Sequence, residues 1–230
     1  LNIIDLFVLL VLGIYTTIGA YNGSIVSAIN AASFVLSWLV SLIFYPLISK
    51  LIISKIPSLF TLVKFYADGS SKIPNVENRA MQVTRFTKES VGQIVTDSQI
   101  PNPFGRILVS AFSKSDTSLT LAEYFDTTIA TVIINIFSLL LLFVLIRILV
   151  MIAASIYKTV KEIPVLKKFD SLTGAGIGLL RGMLVANFIF ALVPILTTIA
   201  PIEFVNNLIE ESLLGNLFYK INIFTVFIRG

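Results

Sequence analysis

The 230-residue chain contains no cysteine and no histidine. The first absence excludes a disulfide framework, a thiolate nucleophile and a Cys/His zinc site. The second removes the commonest general base, and with it the Ser-His-Asp triad. Charge is scarce too: 13% of residues are charged against 56% hydrophobic, and the mean hydropathy is +0.93. A soluble domain carries about 25% charge. Together these deficits exclude most hydrolases and point away from water as the sole solvent.

In place of charge there are four long apolar stretches: Ile3 to Gly19, Ile25 to Phe44, Ile129 to Ile146 and roughly Gly178 to Ala200. About 20 such residues cross the ~30 Å hydrocarbon core as a helix, because only a helix or a closed barrel satisfies its own backbone groups in lipid. The predicted fold is all-α: a polytopic membrane protein with a four-helix transmembrane bundle, a small helical extramembrane insertion and a C-terminal amphipathic helix. The expected organisation is a hairpin over 1–49, a polar insertion over 50–126, two further spans over 127–200 and an amphipathic segment over 201–230. The net charge of +4 comes from basic residues beside the spans. Membrane orientation and anionic lipid explain it better than nucleic acid does. The first span lacks a positive n-region and is followed by another span, so it is expected to be retained rather than cleaved as a signal peptide. Leu1 in place of Met leaves a non-standard start codon or a trimmed chain open.

Spans one and two are joined by Ala20-Tyr21-Asn22-Gly23-Ser24, a link so short that it predicts an antiparallel hairpin. Tyr45-Pro46 is expected to disrupt the second helix, with Lys50 and Lys55 marking its exit. Asp68-Gly69-Ser70-Ser71 and Ile100-Pro101-Asn102-Pro103 read as turns. Between them Val76, Ala80, Val83, Val91 and Ile94 recur at roughly helical spacing. A shorter helix is expected from Gly105 to Phe112, and Thr120 with Glu123 forms a capping box ahead of the third span. The apolar content of 50–126 suggests a small cap rather than an enzyme domain. The link from Ala153 to Asp170 holds Lys158, Lys161, Lys167 and Lys168 against Glu162. Short basic links stay cytoplasmic, which places the 50–126 region and both termini outside. Past Pro201, Ile202, Val205 and Leu208 or Ile209 line one helix face, opposite Glu203, Glu210 and Glu211. That pattern predicts a helix on the membrane surface or on the bundle, with an acidic face unsuited to anionic lipid.

Glycines 174, 178 and 182 are four apart and stack on one helix face, extended by Ala186. Such steps let another backbone approach closely. Packing inside one bundle is one reading; a contact with another subunit or a gating seam is the other. Asp170 stands where it would cap the glycine helix, or serve as a proton or ion ligand. Arg181 lies about 14 Å along its helix if that helix begins at Leu172, where it wants a partner or water. If the span begins near Gly178, the arginine snorkels to the inner headgroups. Asp5 is expected near the outer end of the first span, too distant to pair with Arg181. Asn30, Asn135 and Asn187 are single polar groups within spans two, three and four, suited to hydrogen bonds across helices. Small residues also repeat along span two at Ser33, Ser37 and Ser41 and at Ser24, Ala28 and Ala32. Gly19 with Gly23 allows the first hairpin a tight approach.

An opening Ile3-Ile4-Asp5-Leu6, the Gly19-x-x-x-Gly23 hairpin, and the run Pro164, Leu166, Asp170, Gly174, Gly178, Arg181, Gly182 together resemble the colicin V production protein family. The resemblance covers the four spans but not clearly the 50–126 region. It implies a bacterial inner-membrane protein associated with bacteriocin production or export and with envelope maintenance, and no catalytic residue is carried over from it. The first link lacks the basic residues common in relatives, and the outer segment is longer than in the shortest members.

The expected protein is therefore a non-enzymatic membrane scaffold or export accessory without cofactor or metal. Its expected partners are the lipid bilayer, other membrane or envelope proteins and a second copy of itself, but no nucleic acid. A small transporter or channel, built around Arg181 and the intramembrane asparagines, is the alternative. Gly19, Gly23, Asp170, Gly174, Gly178, Arg181 and Gly182 are the packing and functional candidates.

Overall fold

Helices dominate the computed structural model, which describes residues 2–114, 118–156, 170–199 and 203–228. Among those residues the only extended pairing is one bridge between Gln82 and Thr120. Three helices are long and apolar enough to cross a membrane: Ile3–Lys55, Leu121–Ile152 and Asp170–Ile199.

The first of them, α1 (Ile3–Lys55), is interrupted at Gly23, whose φ of 77° and ψ of 175° lie outside the helical region. Glycine reaches that conformation without a Cβ penalty. Ser27 Oγ donates to the Gly19 carbonyl at 3.2 Å, whereas eight residues along a straight helix would set the two about 12 Å apart. The chain thus folds back at Gly23. The expected five-residue link is in fact one residue, with helix on both sides. Pro46 does not end the second half either, because α1 runs through it to Lys55. A proline removes one helical hydrogen bond, a loss that long apolar helices absorb.

Next come α2 (Pro57–Ala67), α3 (Val76–Ala80), α4 (Lys88–Asp97) and α5 (Phe104–Ala111). The continuous helix expected across Val76 to Ile94 is two helices. Backbone pairing of Val83 with Leu119 and of Leu121 with Met81 draws the middle out of α-helical geometry, leaving only a short 3-10 turn at Val83–Arg85. Thr87 then restarts the helix through a reciprocal capping box with Ser90. Two other expectations hold: α5 falls where the Gly105–Phe112 helix was placed, and the Ile100–Asn102 stretch lies outside any helix. The box ahead of α6 (Leu121–Ile156) is also formed, with Glu123 N donating to Thr120 Oγ1 at 3.2 Å and Thr120 N to Glu123 Oε2 at 2.9 Å.

The expected fourth span is likewise divided, into α7 (Asp170–Phe190) and α8 (Val193–Ile199). Pro194 explains the break: its ring excludes a helical carbonyl four residues back, at Phe190. The C-terminal segment is three short helices rather than one: α9 (Glu203–Glu211), α10 (Leu213–Lys220) and α11 (Ile223–Val226). Ser212 separates the first two by capping α10, its Oγ accepting from Gly215 N at 2.8 Å.

The chain forms two compact units. The first comprises 1–45, 139–191 and 203–223; the second comprises 46–138, 192–202 and 224–230. In the second unit Ile73, Val91, Phe104, Leu108, Leu121 and Phe125 are fully buried. The 50–126 region therefore contributes to a true apolar core, richer than its composition suggested. Tyr124 Oη donates to the Leu108 carbonyl at 2.6 Å and Asp126 accepts from Ser70 N at 2.6 Å, tying α6 to that core. Arg106 donates to the carbonyls of Val226, Thr225 and Ile228 at 2.5, 3.0 and 3.3 Å, which closes the C-terminal end of α11. In the first unit, Ser33, Ser37 and Ser41 each donate to the carbonyl four residues earlier, so the buried serines carry no unmet hydroxyl into the packing. Ala28 and Ala32 face outward, so the second small-residue stripe of span two is not a packing face.

Candidate functional site

Helix α7 has no side chains on the face formed by Gly174, Gly178 and Gly182, and all three glycines are buried together with Ala186. The opposing surface is the backbone of α1. A Cβ on Gly178 would collide with the Tyr15 carbonyl and fall 2.9 Å from Gly19 Cα. One on Gly174 would collide with the Gly19 carbonyl and lie 2.8 Å from Gly23 C, while one on Gly19 would come within 2.7 Å of Gly178 Cα. Gly182 is slightly looser, with Tyr15 Cβ at 3.2 Å and Leu12 Cα at 3.3 Å. Gly176, two residues from the stripe, has open space around it. The Gly19–Gly23 pair thus serves the α1–α7 approach rather than the inside of its own hairpin. The stripe is filled within one chain, by backbone contact of the kind that replaces hydrophobic drive in lipid.

Asp170 closes one end of this seam, in a role the sequence did not suggest. Its carboxylate does not cap α7 itself. It accepts hydrogen bonds from Ser24 N at 2.7 Å and from Ser24 Oγ, the first residue after the Gly23 turn. A helix restarting there has unmatched N–H groups and a positive dipole end, both of which a carboxylate satisfies. Gly23 must be glycine twice over: for its positive φ, and because a Cβ would collide with that carboxylate. Asp170 and the Gly23 turn therefore lie at the same end of the helices.

Asp5 closes a different contact. It is fully buried, and its Oδ1 accepts from Ser212 Oγ at 2.7 Å and Leu214 N at 2.8 Å. It is more than a marker of the outer end of a helix: it fastens the start of α1 to the start of α10. Asn2 adds a bond to the Leu208 carbonyl at 2.6 Å. Asn187 holds the same C-terminal segment from α7, its Oδ1 accepting from Ile223 N at 3.1 Å and its carbonyl from Asn222 Nδ2 at 2.7 Å. The C-terminal helices α9 and α10 thus rest on the bundle. Only the side-chain types hinted at this; no spacing rule links Asp5 to Ser212.

Arg181 sits beside the seam with its guanidinium carbon 5.1 Å from the centre of the Tyr15 ring. Its Nε is buried and makes no hydrogen bond. Among the described residues it has no carboxylate partner. Arg147, on α6, stands over the Phe34 ring at 5.9 Å and is close enough to Arg181 to be repelled by it. Arg147 lies just past the end of an apolar run, where the sequence pattern gives a charge no special meaning. All seven candidate residues, Gly19, Gly23, Asp170, Gly174, Gly178, Arg181 and Gly182, thus gather where α1 meets α7. Pro164 and Leu166 lie outside the described residues. Among the described residues no cluster of three or more metal-ligating side chains occurs.

A chain whose described residues are predominantly helical, with three membrane-length apolar helices of which α1 and α7 meet along a glycine seam, is a membrane protein of the helical class. It belongs to the colicin V production protein family, whose sequence model matches residues 104–222, just over half of the chain. The matched region contains Asp170, Gly174, Gly178, Arg181 and Gly182, but not the Ile3–Leu6 opening or the Gly19–Gly23 hairpin. No curated protein and no solved structure matches the chain.

Proposed function

We propose that this protein is a non-enzymatic scaffold or accessory of the bacterial cytoplasmic membrane, acting in the production or export of a colicin V-type bacteriocin and in envelope maintenance. It crosses the membrane four times, with α1 crossing inward to Gly23 and back out. The observation that supports this most is the sealed α1–α7 seam, which contains the matched family's Asp170-to-Gly182 run and devotes it to backbone packing. In this reading the Gly23 turn and the 157–169 link face the cytoplasm, the 50–126 region faces outward, and that outer region meets an envelope partner.

The transporter alternative drew on Arg181 and the intramembrane asparagines. Asn187 accepts from the C-terminal segment through its Oδ1 and its carbonyl and donates its Nδ2 to the Met183 carbonyl, which favours the scaffold. Two experiments test the reading. In a cell that makes colicin V, deletion of this chain should lower secreted bacteriocin, and unchanged secretion counts against the role. Because the chain lacks cysteine, Asp97→Cys and Tyr21→Cys report the topology cleanly. A membrane-impermeant thiol reagent should label the first from outside and the second only in inverted vesicles; the reverse pattern inverts the assignment.

A further inference from the structure

Arg147 and Arg181 come from different helices yet share one level of the bundle. Arg147 lies nine residues before the last residue of α6, and Arg181 eleven after the first residue of α7. At 1.5 Å per residue these are offsets of about 14 and 16 Å along each helix, measured from the ends that flank the 157–169 link. Tyr15 and Phe34 lie eight and eleven residues either side of the Gly23 turn, at the end of the bundle marked by the Gly23–Asp170 contact. The two rings therefore reach the same level as the two guanidiniums. Residues 127–146 just before Arg147 and 182–202 just after Arg181 carry no charge. The arginines form a pair of positive charges at the edge of two uncharged runs of membrane length.

Two like charges at one level of a bundle repel, and each costs desolvation in apolar surroundings. Among the described residues they are partnered by aromatic faces and not by carboxylates. Ring faces stabilise cations weakly and leave the N–H groups free to donate. The Arg181 Nε is such a donor, buried and unmatched. A tetrahedral oxyanion between the guanidiniums would cancel the repulsion and accept from both, since the guanidinium fork matches phosphate oxygens bidentately.

We propose that Arg147 and Arg181 bind a phosphate-bearing anion between α6 and α7, walled by Tyr15 and Phe34. The anion is either the headgroup of an acidic phospholipid or a soluble phosphate; the chemistry of recognition is the same. The site is separate from the scaffold role and does not depend on it.

The test uses the full chain, purified in a neutral detergent and stripped of lipid. Melting temperature is followed against phosphatidylglycerol, phosphatidylcholine and inorganic phosphate, the last at constant ionic strength. A ligand that binds only the folded state raises the midpoint. Wild type should be stabilised by phosphatidylglycerol or by phosphate but not by phosphatidylcholine. Half-saturation should need at least ten-fold more anion in Arg147→Gln and in Arg181→Gln. Stabilisation by phosphatidylglycerol alone assigns the site to a lipid headgroup; stabilisation by phosphate as well assigns it to the soluble ion. Without anion, Arg147→Gln should melt at or above wild type, because the repulsion is relieved, whereas a purely structural arginine would lower the midpoint when removed. Arg147→Lys keeps the charge but loses the fork, and should fall between. Equal anion response in wild type and both glutamine variants, or no response to either anion, overturns the proposal.

Discussion

The α1–α7 seam buries glycine against backbone, whereas the unit around α5 and α6 buries Phe104, Phe125 and Leu108. The two regions answer to different solvents. In lipid an apolar side chain gains nothing by leaving the acyl chains, so helices associate by close approach of small residues and leave large ones outside. Leu172, Leu180 and Leu196 accordingly point out of α7 and α8. In water about 25 cal/mol is gained per Å² of apolar surface buried, and Ile73, Phe104, Ile107 and Leu108 of the 50–126 segment turn inward. A single chain thus applies both rules, and α6 provides apolar surface to each unit.

Opposite substitutions should break the two regions. Phe104→Ala removes a fully buried ring and should cost about 3–5 kcal/mol, read as a fall in the thermal midpoint in detergent. Leu180→Ala, in the lipid-facing surface of α7, should leave that midpoint nearly unchanged. Adding volume reverses the ranking. Gly178→Ala inserts a methyl against the Tyr15 carbonyl and Gly19 Cα and should cost about 1–3 kcal/mol, with Gly178→Leu abolishing assembly. Gly176→Ala, in open space on the same helix, should stabilise by about 0.5–1 kcal/mol through helix propensity alone. Equal responses at 176 and 178 would dismiss the seam.

The smallest expected effect belongs to acid. The Glu89 carboxylate at the start of α4 accepts from its own backbone N–H and from the Thr87 hydroxyl, which hold its pKa below the ordinary 4.5. Since the folded value is depressed, its contribution is complete above the unfolded value of about 4.5 and fades as pH falls through the folded one. Glu89→Gln should therefore lower the midpoint slightly at neutral pH and match wild type in strong acid. A difference that persists unchanged into strong acid would remove the carboxylate from the account.

How much could be read in advance differed by element. The stripe at 174, 178 and 182 was legible because helical periodicity alone aligns residues four apart. The Thr120–Glu123 box and α5 were legible for the same local reason. The five-residue link was misjudged: Ala20, Tyr21 and Asn22 are acceptable in a helix, and only the close approach of α7 decides that the turn shrinks to Gly23. Asp170 was expected to cap α7 or to serve as a proton or ion ligand, and it instead accepts from Ser24 just past the Gly23 turn. A carboxylate caps whichever free N–H groups lie within reach, and folding brought those of Ser24 to it.

Composition and spacing by themselves determined the solvent, the helical class, the absence of thiol and imidazole chemistry, and the face along which α7 packs. These follow from local rules of length, period and residue type. Tertiary structure alone decided that α1 lies along that face, that Asp5 holds the start of α10, and that Arg147 comes within electrostatic reach of Arg181. Each of those joins residues from 34 to more than 200 positions apart, and no local rule carries information over such a separation.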